Sequence, residues 1–112
     1  MKIDALAMAE GPAIYYDDKF RAVLEDHLTY LRNHPKTTTV TVSPVDAFKY
    51  EGDYYGLLTT LNIPYHFHWL IMRLNGHRSP FSGNEKETQV IVPAESVIEQ
   101  IRQSHNAKRK IS

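Results

Sequence analysis

The 112 residues contain no cysteine. That excludes a disulfide framework and a thiolate zinc site, and it suits a reducing compartment. Neither sign of charge is in excess, because 13 Lys and Arg stand against 13 Asp and Glu. The balance therefore recommends no polyanion, acidic substrate or membrane surface as partner. Long apolar runs are missing as well, and none approaches the length that spans a bilayer. The opening stretch Met1-Lys2-Ile3-Asp4-Ala5-Leu6-Ala7-Met8-Ala9-Glu10 has acids where a secretory signal needs an apolar segment. A soluble, unexported chain is expected. A glycine-rich phosphate loop, Gly-x-Ser-x-Gly and His-Glu-x-x-His are all absent, as are internal repeats and low-complexity segments.

What is present suits one domain with extensions: 42% of residues are hydrophobic and 23% charged, ordinary values for a globular protein. The centre is the most patterned part. Tyr54, Leu57, Leu58 and Leu61 fall at i, i+3, i+4 and i+7, and Phe67, Leu70, Ile71 and Leu74 repeat the spacing. The spacing predicts two short helices, each with one apolar stripe, packed as a hairpin. Asp53 is placed to cap the first and Asn62 the second, with Pro64 in the second helix's first turn. Asn75-Gly76 supplies residues that easily adopt the left-handed conformation closing a helix.

Strand character flanks this hairpin. The β-branched run 37–42 favours an extended strand, Ser43-Pro44 interrupts it, and residues 45–50 are expected to resume it. Residues 77–88 read as a loop, and 89–93 as a short buried strand. Upstream, Phe20, Val23, Leu24, His27, Leu28 and Leu31 trace one face of a helix over 17–34, begun by Asp17 or Asp18 and ended by Pro35. Lys19, Arg21, Glu25, Asp26 and Arg32 are expected on its solvated side. Downstream, Ala94, Val97, Ile98 and Ile101 predict a last helix before a frayed basic tail at Lys108-Arg109-Lys110. The expected organisation is an N-terminal arm over 1–16, an amphipathic helix and connecting strand over 17–44, a central domain over 45–93, and a C-terminal helix and tail over 94–112.

The succession of extended segment, Gly52-Asp53, helix, turn, helix ending in Leu74-Asn75-Gly76, loop with Ser79-Pro80, and strand Val90-Ile91-Val92-Pro93 resembles the LysM domain. The resemblance implies an α+β fold, a LysM-like βααβ core with an additional N-terminal helix and C-terminal helix. Many LysM domains bind N-acetylglucosamine units of chitin or peptidoglycan, and others are structural modules of bacteriophage tails. A lone unit between two flanking helices is similar to small baseplate wedge proteins of contractile-tailed phages. Tyr54 stands where wall-binding members place Thr, Asn84-Glu85-Lys86-Glu87 stands where they place Pro-Gly-Gln, and Phe48 and Tyr50 sit one residue out of the strand register. These departures touch the loops that form the family's sugar groove, so the fold transfers better than the ligand.

Catalysis and metal binding have little to stand on. His66 and His68 are two apart, which on a helix points them about 200° from each other. Asp53 near Glu51 is the nearest approach to a carboxylate pair, and a cap role already accounts for Asp53. The reading is a protein that is not an enzyme and needs no cofactor or metal. A helix-turn-helix DNA reader would use His66, His68, Arg73, His77 and Arg78, but the second helix holds one Arg in a neutral chain. Seven tyrosines, with Trp69, point to interface use of aromatic side chains.

The sequence thus points to a structural virion component: a phage tail baseplate assembly protein, put together in the bacterial host cytoplasm, that docks on other structural subunits of the tail. Peptidoglycan or chitin binding is the alternative, with cell-wall glycan as partner, and DNA binding the second; neither nucleic acid nor membrane is the expected partner. The terminal helices are expected to offer their apolar stripes as docking surfaces. The candidate interface or glycan-loop residues are Gly52, Asp53, Tyr54, Tyr55, Tyr65, Trp69, Asn75, Gly76, Arg78 and Ser79.

Overall fold

The computed structural model describes residues 12–81 and 88–111, with side chains described over 13–81 and 88–106. Residues 1–11 of the arm expected over 1–16, and the Asn84-Glu85-Lys86-Glu87 stretch, lie outside the described residues. The first described element is a 3-10 turn, Pro12–Tyr16. Asp17 then accepts the Phe20 N–H at 3.0 Å and opens helix α1, Asp18–Asp26. The single helix expected over 17–34 is two helices. His27 turns its ring Nδ1–H onto the Val23 carbonyl at 2.7 Å, and its backbone N–H goes to Leu24 instead. The ring has taken the carbonyl that would have continued the helix, and α2, Leu28–Asn33, starts afresh.

Strands β1, Thr38–Thr41, and β2, Gln89–Val92, form a two-stranded antiparallel sheet with Thr38 opposite Val92 and Thr41 opposite Gln89. Val42 N–H bonds the Thr88 carbonyl at 2.9 Å. By the alternation of an antiparallel ladder, the pairs at 40/90 and 38/92 share hydrogen bonds, while the backbone groups of Thr39 and Ile91 face away from the partner strand. Val42 and Val90, on one face, are buried.

Residues 45–50 correct the expectation of a strand. Residues 45–49 lie in helix α3, Pro44–Lys49, with Tyr50 capping its end, because Ser43 accepts the Asp46 N–H at 3.1 Å, Pro44 takes the first helical position and Asp46 sits in the first turn. The register mismatch at Phe48 and Tyr50 disappears with the strand. Helix α4, Tyr54–Thr60, follows with Asp53 as its cap, accepting the Gly56 N–H at 3.0 Å. Asn62 does not cap the next helix. It adopts φ 64 and closes α4, with Ile63 N–H returning to Leu58 and Asn62 N–H to Thr59. Pro64 and a 3-10 turn, Tyr65–Phe67, lead into α5, His68–Leu74. Gly76, at φ 87, closes α5 with the same bond pattern, His77 N–H to Met72 and Gly76 N–H to Arg73. The last helix, α6, Glu95–Ile111, continues through the Lys108-Arg109-Lys110 stretch that was expected to fray.

Helix α5 is the hub: it touches α1, α2, α4 and β2. His68, Leu70, Ile71, Met72 and Leu74 are all buried on it, and each such aliphatic side chain contributes roughly 1.5–3 kcal/mol. Phe20, Leu24 and Leu31 from the N-terminal helices and Val97, Ile98 and Ile101 from α6 join the same buried cluster. The stripes expected to await partners are therefore covered by the chain's own core. The expected solvated side is also partly engaged. Glu25 forms a two-point ion pair with Arg73, and Arg32 donates through Nε and Nη2 to the Leu74 carbonyl at 3.2 and 2.9 Å, at the negative end of α5.

Candidate functional site

The ten candidate residues separate into three groups, beginning with the chain's own geometry at Tyr54 and Tyr55. Neighbours on a helix point about 100° apart, so the two rings leave α4 in different directions.

The first group is the pair of loops. Tyr54 N–H donates to the Pro80 carbonyl at 2.8 Å, and Gly52, at φ 76, lies against the Phe81 carbonyl. The structure thus brings Gly52 and Asp53 beside Ser79, whose hydroxyl accepts the Phe81 N–H at 3.1 Å. Arg78 is exposed. Tyr54, named both for the packed stripe and as an interface candidate, is fully buried as the stripe predicts, with its ring 4.4 Å from that of His77. It is a floor beneath these loops.

The second group is structural. Asn75 turns inward: its Oδ1 accepts the Ile91 N–H at 2.8 Å, and its Nδ2 donates to the carbonyls of Ile91 at 3.0 Å and Ile71 at 2.8 Å. The carboxamide takes both outward backbone groups of Ile91, as a neighbouring strand would. Gly76 serves the helix end, and a side chain there would meet nothing within 4 Å.

The third group gathers the remaining aromatics around a residue that the sequence placed among solvated charges. Arg21 holds its guanidinium 4.9 Å from the Trp69 ring centre and 5.6 Å from that of Tyr16, within cation–π range of both. Its Nε donates to the Tyr15 carbonyl at 2.9 Å, which fixes the plane of the group. Tyr55 is half-buried nearby. Burial raises its hydroxyl pKa above the usual value, and the Arg21 charge opposes that rise. Tyr65 is 68% exposed, with its ring 4.8 Å from that of His68. Tyr16 is 55% exposed.

His68 lies beneath this surface, buried between Tyr55 and Tyr65. Its Nε2–H donates to the Ile63 carbonyl at 2.8 Å, so the deprotonated nitrogen is Nδ1, which is buried with no hydrogen-bond partner among the described residues. Burial lowers its pKa below the ordinary histidine value, against the opposing effect of the Ile63 bond, and His66 lowers it further. His66 itself packs on Tyr15 and Phe67. Tyr15 anchors the patch from behind: its hydroxyl donates to Glu99 at 3.0 Å, and Glu99 pairs with Arg102.

Sequence reasoning missed two surfaces. Val45 and Phe48, at i and i+3 on α3, are 74% and 75% exposed, and the wrong element assignment hid their common face. A groove of about 400 Å³ runs between α1 and α6, lined by Val23, His27, Tyr30, Val97, Ile101 and His105. Among the described residues, no cluster of three His, Cys, Asp or Glu side chains is arranged to hold a metal ion, and no helix is long and apolar enough to cross a membrane.

No family model, curated protein or solved structure matches the chain.

Proposed function

We propose that the chain is a structural assembly protein that docks on neighbouring subunits, with no catalytic role, as a phage tail baseplate component would. One observation carries the reading. Tyr16, Tyr65 and Phe48 are more than half exposed, although the apolar stripes of both terminal helices are covered by the chain's own core. Aromatic side chains with a neighbouring Arg are the usual anchors of protein interfaces. The order of strand, helices and antiparallel strand, with Asp53 capping α4, supports the LysM-like part of the reading. The inserted helix α3 departs from a bare βααβ unit.

A second reading, N-acetylglucosamine binding, is favoured by the adjacency of the Gly52-Asp53 and Arg78-Ser79 loops through the Tyr54 to Pro80 bond. The DNA-reading alternative loses its main cation, because Arg73 is engaged by Glu25 and by the His77 carbonyl.

A tagged copy expressed in its native setting tests the choice, with peptidoglycan pull-down in parallel. Stoichiometric recovery of large structural proteins, with nothing retained on wall material, is the expected result. Retention on peptidoglycan with no protein partner would overturn it in favour of the loops. In that case chitin oligomers at millimolar concentration should shift the amide resonances of Gly52, Asp53 and Ser79.

A further inference from the structure

The Arg21 guanidinium is the least accounted-for charge on the exposed aromatic surface. Its Cζ lies over the Trp69 ring at 4.9 Å and over the Tyr16 ring at 5.6 Å, and its Nε is committed to the Tyr15 carbonyl at 2.9 Å. No ion pair and no hydrogen bond to its two terminal nitrogens is recorded among the described residues. The contrast with Arg73 and Arg102 is instructive, since both are paired with carboxylates within the chain. Here the side chain's plane is set and its donor edge is left over.

An arginine in this condition has already lost much of the rotamer freedom that binding would otherwise cost. It presents parallel N–H donors with the spacing of a carboxylate's two oxygens. The neighbouring rings of Trp69 and Tyr16 would keep water from such an ion pair. Tyr55 lies close enough to feel the Arg21 charge, and Tyr65 stands four residues before Trp69 in the turn that leads into α5. This is a charged centre inside an aromatic rim, the pattern in which one truncation removes most of an interface's energy.

We propose that this surface receives an Asp or Glu side chain from an exposed segment of a neighbouring protein, held by Arg21 in a two-point ion pair between the Tyr16 and Trp69 rings. Charge complementarity names the occupant. One fixed fork takes one carboxylate, whereas a nucleic acid needs a field of cations along its backbone, and this chain has no net charge to provide one. The inference rests on the docking role and specifies the chemistry of the partner.

The test uses the full chain in its native setting, with the photo-crosslinker p-benzoylphenylalanine at position 65, where the native tyrosine is 68% exposed. Irradiation is expected to join the chain to a partner segment carrying Asp or Glu within a few residues of the crosslink. Arg21→Glu should lower the yield at least tenfold, and replacement of that partner acid by Arg should restore it in the Arg21→Glu background. Arg21→Lys, which keeps the charge and loses the fork, should fall between. Rescue by the swapped charge also separates recognition from misfolding, which no partner substitution would repair. A crosslinked segment without a carboxylate, a yield indifferent to Arg21→Glu, or a swap that fails to rescue would each overturn the inference. If large subunits co-purify but position 65 captures none of them, this surface is wrong and the docking role stands. If nothing co-purifies, the docking role itself falls.

Discussion

Asn75 joins three backbone groups that no other side chain among the described residues bonds: the Ile91 N–H, the Ile91 carbonyl and the Ile71 carbonyl, the last of which also accepts the Asn75 backbone N–H. Its loss leaves buried or half-buried polar groups unpaired, which typically costs more than the bonds themselves contribute. Asn75→Ala is expected to destabilise the protein by about 2–4 kcal/mol, read from the urea midpoint. Asn75→Asp should be no milder at neutral pH, because a carboxylate keeps the Ile91 N–H but faces two carbonyls, and acid should relieve part of that loss. His68 adds a pH dependence of known sign. Its folded pKa lies below the ordinary value because burial disfavours the charged ring. Below the unfolded histidine pKa of about 6.5 the unfolded chain therefore binds the extra proton, and stability drops with pH by at most about 1.4 kcal/mol per pH unit. The contribution is fully present above that pKa and is lost as pH falls toward the folded value. Denaturation curves between pH 7.5 and 5 should show this slope, and His68→Gln should remove it.

At the scale of elements, the caps decide what the periodicity leaves open. Ser43→Ala and Asp53→Ala each remove an acceptor from a helix start, and each is expected to cost about 1 kcal/mol by chemical denaturation. Helical carbon chemical shifts over 45–48 should weaken in the first variant and persist in the second. The stripes Tyr54-Leu57-Leu58-Leu61 and Phe67-Leu70-Ile71-Leu74 were legible because their spacing selects residues that are buried, all but the half-buried Leu61 at the end of α4. The strand expected over 89–93 was legible from its β-branched run and spans Gln89–Val92, although within those bounds Val90 alone is fully buried. The α3 segment was not, because Ser-Pro is ambiguous: it breaks a strand and begins a helix with equal economy, and only Ala47 on α3 is buried to vote between them. Likewise, periodicity gave no hint that the ring of His27 would take a backbone carbonyl. The aromatic surface was half legible: Tyr55, Tyr65 and Trp69 were named in advance, but Arg21 and Tyr16 join them only through the packing of α1 and the first 3-10 turn against the hub. Nothing in local sequence signals that tertiary meeting.

At the scale of the molecule, helices from both ends of the chain share one buried cluster with α5. The described residues should therefore unfold in one cooperative transition, with calorimetric and van't Hoff enthalpies equal. Leu24→Ala, at one end of the chain, is expected to cost about 2–5 kcal/mol. It should lower amide-exchange protection in α5 as much as in α1. Independent melting of the central segment would contradict a shared core. Docking would then be a matter of surface groups on a rigid body, with little change of shape on binding.

The inward turn of Asn75 also bears on how copies of this chain meet. Its carboxamide fills the Ile91 position along the outer side of β2, while the Thr39 backbone groups face away from β2 along an exposed, threonine-rich β1. A sheet grows into a fibre only if each added strand offers a fresh edge on the far side. Here one side is already occupied by a side chain, so strand addition stops after a single step. Two copies meeting through β1 would make a closed pair, and crowding at high copy number would not template a polymer.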